Sequence, residues 1–128
     1  MGNGTELGRV RGLGSAKEGA HHWWHQRVTA GGNLFLMLWL LVSIAHLPGY
    51  DYAGLHAWLA SAWVAIPMIL LIVSVFYHFR LGLQVLIEDY VHDESRIALM
   101  LLLNFFTIAT AAIAIFSILR IALAGVPA

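Results

Sequence analysis

The sequence contains no cysteine and few charged residues. Asp, Glu, Lys and Arg together make up 11% of its 128 residues, whereas a soluble domain has about 25%. The absence of cysteine excludes disulfide bonds, cysteine-ligated zinc and iron–sulfur clusters held by thiolates of this chain. With neutral histidines the formal net charge is zero, so no polyanionic partner such as nucleic acid is expected.

The chain consists largely of long apolar stretches. Hydrophobic residues make up 60% of it and the mean hydropathy is +0.78, which is typical of an integral membrane protein. Stretches long enough to cross a bilayer lie at about 28–47, 58–87 and 97–119. We therefore expect an all-α membrane protein with three transmembrane helices. Residues 1–27 form an amino-terminal segment on the cytoplasmic or matrix side, in which Gly12, Gly14 and Gly19 are interpreted as flexible loop, and residues 28–128 form the membrane domain.

The distribution of basic residues predicts the orientation of the chain. Five of them fall on one side of the predicted spans, namely Arg9, Arg11, Lys17, Arg27 and Arg96. Arg120 alone lies near the other side. By the positive-inside rule, the amino terminus is expected on the cytoplasmic side, or on the matrix side in a mitochondrion.

One histidine lies in the interior of a predicted span. On a helix, His78 shares a stripe with Ser74 and Gly82, one turn before and one turn after it, and with Asp89, eleven residues later. The two small residues predict a shallow slot beside the imidazole. An ionisable side chain at membrane depth is a functional-site hypothesis by default.

His78 has two interpretations. It either hydrogen-bonds a neighbouring helix or is an axial ligand to haem, which also needs cationic groups near the propionates. Arg27 and the histidines at 21, 22 and 25 are candidates for those groups, although Arg27 fits a positive-inside marker equally well. Because the chain has no second histidine at this depth, a six-coordinate haem would be shared with another chain. The residues thus favour a small three-helix membrane subunit.

Two other polar residues lie within predicted spans. Asn104 is expected to hydrogen-bond across helices, and Arg80 to extend towards lipid head groups. The second span is longer than a bilayer requires, so its start around His56 and Trp58 is expected to lie in the interface or the helix to tilt. Pro67 is a further expected point of bending.

A known family carries many of these residues in the same order, namely Ser15-Ala16-Lys17, His22-Trp23, Arg27, His78, Gly82, Gln84, Val85 and Asp89-Tyr90-Val91-His92. Through these residues the chain resembles the smaller hydrophobic membrane anchor subunit of succinate dehydrogenase, which is respiratory complex II. The resemblance is to the alphaproteobacterial and mitochondrial type of this subunit. The distance of eleven residues from His78 to the Asp89-Tyr90 pair is the most specific part of the resemblance.

The resemblance implies a function within a complex. Such anchors pair with a second three-helix anchor subunit, and together they hold a flavoprotein subunit and an iron–sulfur subunit at the membrane. Electrons from succinate pass through flavin and iron–sulfur clusters to ubiquinone, in the tricarboxylic acid cycle and respiratory chain. The implied location is the bacterial inner membrane or the mitochondrial inner membrane, with membrane lipid as a further partner. As a non-flavin subunit, the chain would itself carry no catalytic residue.

The resemblance also implies roles for individual residues. Haem b lies between the two anchors, and His78 matches this chain's axial ligand to the iron. Together with the slot, the resemblance gives the expected neighbours of the haem: Arg27, His21, His22, Ser74 and Gly82. It places the quinone at Tyr90, Asp89 and Arg27. Without the resemblance, Asp89 and Tyr90 fit a helix-end acid and an aromatic-belt tyrosine.

Two other functions fit the sequence. One is a quinol:fumarate reductase anchor, which runs the same chemistry in reverse. The other is a haem-free transporter or proton relay that uses His78 and Arg80. Against the second, no acidic residue lies in the core of any predicted span and no inverted repeat is visible.

Overall fold

The computed structural model describes residues 4–13 and 19–124, which form helices and no strand. The helices are α1 (Glu6–Leu13), α2 (Gly19–Ala45), α3 (Tyr52–Ala60), α4 (Ala62–Tyr90) and α5 (Ser95–Ala124). Three of these, α2, α4 and α5, are long and apolar enough to cross a membrane. The prediction of an all-α protein with three membrane-spanning helices is therefore confirmed.

The amino-terminal segment is more helical than predicted. Residues 6–13 form α1, where the Thr5 hydroxyl accepts a hydrogen bond from the Gly8 N–H (3.1 Å). Helix α2 begins at Gly19 rather than at residue 28, so residues 21–27 are helical. The interpretation of Gly12 and Gly19 as flexible loop was wrong, since both are helical, and Gly14 lies outside the described residues. Extending an established helix costs little per residue, and no proline interrupts this stretch.

The second predicted span is divided into two helices. Helix α3 begins after Asp51, whose carboxylate accepts a hydrogen bond from the Gly54 N–H (3.3 Å). It ends at Ala60, and the extended backbone of Ser61 (φ −71°, ψ 128°) separates it from α4. The Ser61 carbonyl then accepts hydrogen bonds from the N–H groups of Val64 and Ala65. The interruption of the second span therefore lies at Ser61, ahead of Pro67, which is inside α4.

Helix α4 lies between α2 and α5. It packs against both of them, whereas α3 packs against α4 and α5. Contacts between α2 and α4 pair later residues of one helix with earlier residues of the other, such as Ser74 with Thr29 and Tyr77 with His25, so the two helices are antiparallel. The start of α2, the end of α4 and the start of α5 consequently share one end of the bundle.

Few side chains of the described residues are buried within the chain. The buried ones lie on α4 and α5, and none lies on α2. Large apolar side chains remain outside, for example Phe35 at 74% exposure and Trp63 at 88%. Apolar area left in water forfeits about 25 cal/mol per Å². The outer faces are therefore suited to contact with lipid or with other membrane chains.

Candidate functional site

The interior histidine of α4 is held by a threonine on α2. The Nδ1 atom of His78 lies 3.0 Å from the Thr29 hydroxyl oxygen. That hydroxyl also lies 2.7 Å from the His25 carbonyl oxygen and 3.2 Å from that of Gln26. A hydroxyl has a single proton, and the carbonyls can only accept it. When the proton goes to the His25 carbonyl, the shorter of these contacts, the Thr29 oxygen accepts a hydrogen bond from the His78 Nδ1–H.

This hydrogen-bonding arrangement corresponds to one tautomer of the neutral imidazole. With the proton on Nδ1, the lone pair of His78 is on Nε2. Nε2 has no partner among the described residues, and it is not enclosed by the chain. A protein ligand to a metal commonly has this form, in which the second ring nitrogen is anchored and orients the ring. The hydrogen bond to a neighbouring helix and a ligand role for Nε2 therefore use different atoms and are compatible.

The small residues on either side of His78 lie against α2. The Ser74 hydroxyl donates to the Thr29 carbonyl (3.5 Å), and a Cβ added to Gly32 would meet the Ser74 oxygen at 3.4 Å. A Cβ added to Gly82 would meet the Gln26 amide nitrogen at 3.6 Å. The predicted slot is thus covered by a helix of the same chain. Small side chains at these positions let α2 approach closely enough for Thr29 to reach His78.

The three histidines at the start of α2 have different surroundings. His22 is seven residues before Thr29, within about 20° of the same helical direction, and its Nε2 is buried without a hydrogen-bond partner. His25 lies 3.3 Å from the Tyr77 hydroxyl through Nδ1. His21 is exposed. Of the three, His22 is the one with an unsatisfied buried nitrogen.

A groove of about 850 Å³ lies between the start of α2 and the end of α4. Its lining includes the predicted site residues Arg27, His21, His22 and Gly82. Along the α2 axis, Arg27 is about 3 Å from the level of Thr29 and hence of His78. Its guanidinium lies 5.5 Å from the centre of a Trp23 ring, a cation–π distance. The groove brings cationic and imidazole groups together at the level of the interior histidine and beyond it.

Asp89 and Tyr90 lie at the end of α4, outside this groove. Both are exposed, Tyr90 by 79%, and neither has a hydrogen-bond partner among the described residues. Tyr90 is about 18 Å further along the helix axis than His78. Nearby, the Gln84 amide donates to the Glu88 carboxylate (3.0 Å), which is also 3.8 Å from the Arg96 guanidinium. The phenol and carboxylate are therefore presented outward rather than used inside the chain.

The sequence reasoning missed two side-chain contacts. Thr29 was not recognised, although its spacing of seven residues from His22 places both on one face of α2. Arg80 was expected to extend towards lipid head groups. Its Nε instead donates to the Asn104 side-chain oxygen on α5 (2.5 Å). The prediction for Asn104 as an interhelical hydrogen-bonding residue is confirmed, since it joins α5 to α4 and also donates to the Met100 carbonyl (2.7 Å).

Comparison with known proteins matches this chain to one family of membrane subunits. The family model described as "Succinate dehydrogenase/Fumarate reductase transmembrane subunit" matches residues 1–115. A protein of Rickettsia bellii named "Succinate dehydrogenase hydrophobic membrane anchor subunit" is 34% identical over 107 residues, which cover 83% of this chain and 86% of that protein. A protein of the same name from Paracoccus denitrificans is 28% identical over 117 residues, 91% of each chain. No solved structure matches the chain significantly.

Proposed function

The chain belongs to the family of succinate dehydrogenase and fumarate reductase transmembrane subunits, and we propose that it is the smaller anchor of a succinate:ubiquinone oxidoreductase. It is a multi-pass membrane protein. Its proposed partners are a second haem-binding anchor, an iron–sulfur subunit and a flavoprotein subunit. The proposed location is the bacterial inner membrane or its mitochondrial equivalent, with the amino terminus on the cytoplasmic or matrix side.

The hydrogen bond from His78 to Thr29 carries the haem part of the proposal. It leaves Nε2 without a partner among the described residues and not enclosed by the chain, and a ligand to the haem iron would use such a nitrogen. Haem b, when bound, supplies one-electron redox chemistry. His78 would hold the iron through Nε2, and Arg27 and His22 would bind the propionates by charge-assisted hydrogen bonds. A second ligand to the iron would come from the partner anchor, since the sequence places no second histidine at the depth of His78.

Ser74 and Gly82 have an indirect role in this proposal. They lie between α4 and α2 rather than on an open face. Their small size sets the separation of the two helices and thereby the 3.0 Å distance between Thr29 and His78. We assign them to positioning the ligand.

Ubiquinone reduction is assigned to the end of α4. The Tyr90 hydroxyl can donate a hydrogen bond to a quinone carbonyl, where negative charge develops on reduction. Asp89 can orient that phenol or accept and release a proton, and Arg27, at the same end of the bundle, can stabilise the charge. Because Asp89 and Tyr90 are exposed, the rest of the quinone site would be provided by partner subunits.

The test is the visible spectrum of the purified complex that contains this chain. A reduced low-spin b-type band is expected, together with succinate-dependent quinone reduction. His78→Ala is expected to lose or alter the band. The control is His46→Ala, because the exposed His46 side chain directly follows the far end of α2 and contacts only the Val42 carbonyl of that helix (2.8 Å). Unchanged spectra and redox potentials in His78→Ala would refute the ligand assignment.

The same preparation separates the alternative functions. Initial rates of succinate oxidation by quinone and of fumarate reduction by quinol distinguish the two directions of electron flow. A haem-free relay predicts no b-type band. That relay also needs His78 and Arg80 to communicate, whereas they bond residues on different helices, Thr29 and Asn104.

A further inference from the structure

A second pocket lies at the end of the bundle opposite Tyr90. It has a volume of about 490 Å³ and is formed between α3 and the last turns of α5. Its polar lining includes Tyr52, His56 and Arg120, and its apolar lining includes Leu59 and Phe116. None of these residues takes part in the proposed haem or quinone sites.

The polar side of this pocket holds donors without acceptors. Arg120 has no hydrogen bond or ion pair among the described residues, and it is the single Arg or Lys at this end of the bundle among them. The Nδ1 of His56 is buried and unpartnered. The Tyr52 ring lies 5.8 Å from the His56 ring, centre to centre, and its hydroxyl has no partner either. The one acidic residue nearby in sequence, Asp51, is engaged as the cap of α3.

A guanidinium, an imidazole and a phenol can together donate several hydrogen bonds to one anion with multiple oxygens. Phosphate suits this set, because arginine binds its oxygens in bidentate fashion. Because the Nδ1 of His56 is enclosed by the chain, Nε2 is the ring nitrogen of this lining residue that can donate to such an anion.

The surroundings indicate that the phosphate belongs to a lipid. Arg120 follows directly on the apolar stretch predicted to end at residue 119, which is the depth at which lipid phosphates meet the hydrocarbon. The lining continues from Arg120 to Leu59 and Phe116, so an acyl chain can follow the phosphate into apolar contact. We propose that this pocket binds one phospholipid, with its phosphodiester at Arg120 and His56.

The experiment counts lipids on the assembled complex. The complex is purified in detergent, and bound phospholipid is measured by native mass spectrometry and by organic phosphorus. Arg120→Gln is expected to lose about one phospholipid per copy of this chain. His56→Phe, which keeps a ring of similar size, is expected to lower the retained amount as well. The matched control is Arg96→Gln, at the opposite end of the bundle beside Glu88, which should retain the wild-type number.

Two outcomes would overturn the proposal. Equal lipid retention in wild type, Arg120→Gln and His56→Phe would show that the pocket does not hold a phospholipid. Displacement of the lipid by 10 mM inorganic phosphate would show that the site selects free phosphate. Elution of the variants as intact complex on size exclusion shows that the pocket change has not prevented assembly. If Arg120→Gln does not assemble, His56→Phe decides the matter alone. These readouts are independent of haem and quinone activity.

Discussion

Replacing Thr29 by valine isolates the contact on which the proposed haem ligation depends. Valine keeps the branched shape but removes the hydroxyl that accepts the His78 Nδ1–H at 3.0 Å. An interhelical hydrogen bond in a membrane is worth about 0.6 kcal/mol on average and up to about 1.7 kcal/mol. Loss of a partner that orients a metal ligand commonly lowers metal affinity about 10–100-fold. We therefore expect Thr29→Val to assemble, but with haem affinity reduced by about tenfold.

The same substitution should change the redox potential in a defined direction. An acceptor on Nδ1–H makes the imidazole a stronger donor, which favours ferric over ferrous iron. Removing it should raise the midpoint potential. A difference of about 1 kcal/mol between the oxidation states corresponds to roughly 40 mV, because a tenfold change is 59 mV for one electron. The measurements are an optical redox titration and the ratio of haem to protein in the purified complex.

Two controls separate this effect from a general loss of a hydroxyl. Thr29→Ser retains the hydroxyl and should behave as wild type. Thr107→Val removes a hydroxyl that bonds only the Leu103 and Asn104 carbonyls of its own helix, at 2.7 and 3.1 Å. Thr29 makes the same kind of intrahelical bonds. If Thr29→Val and Thr107→Val have the same haem content and potential, the bond to His78 does not act on a ligand.

The remaining predictions concern the packing of α2 against α4, the proposed quinone site and the hydrogen bond from Arg80 to Asn104. Gly82→Leu should push Gln26 and α2 away from α4 at a cost of about 1–3 kcal/mol, which lowers haem content; full haem content would contradict this. Tyr90→Phe should lower quinone reduction by roughly a hundredfold or more while succinate oxidation by a soluble dye persists; a wild-type quinone rate would exclude the site. Asn104→Leu removes the acceptor of the Arg80 guanidinium, a bond worth about 1.5–3 kcal/mol, and should lower the thermal stability of the complex; an unchanged melting temperature would exclude this contribution.

Each of these has a control in the same chain. Gly31→Leu adds the same side chain at a glycine of α2 whose added Cβ would meet nothing within 4 Å. Tyr50→Phe removes a phenol at the other end of the bundle, where it bonds the Ile44 carbonyl (3.2 Å). Thr110→Val removes a polar group on α5 that bonds only its own helix. All three should retain haem, quinone reduction and stability close to wild type.

The spans could be predicted because their signal is local. A run of apolar residues needs no knowledge of its neighbours to indicate a membrane helix. The break at Ser61 could not be predicted in the same way, because neither Ser61 nor its flanking residues is a strong helix breaker. The helix at residues 21–27 was missed for a related reason. Hydropathy reports where the apolar stretch begins, whereas the helix continues to Gly19.

The candidate site was predictable in its residues but less so in its contacts. His78 was identifiable as a lone imidazole at membrane depth, and Asn104 as a polar residue in an apolar helix. The partners of His78 and Arg80 depend on the register of α4 against α2 and α5, which no single helix encodes. Ser74 and Gly82 lie on one stripe of α4, but the predicted slot beside His78 is covered in this chain by α2.

The geometry of α4 explains why the proposed site would need another chain. His78 and Arg80 are separated by two residues, which is about 3 Å along the axis and 200° around it. One therefore bonds α2 through Thr29 and the other bonds α5 through Asn104, and together they fix the rotation of α4 between its neighbours. With that rotation fixed, the two groups face away from each other, which argues against a proton path between them. The Nε2 of His78 and the Tyr90 hydroxyl have no partner among the described residues, so in the proposed complex a neighbouring subunit would complete what each of them binds.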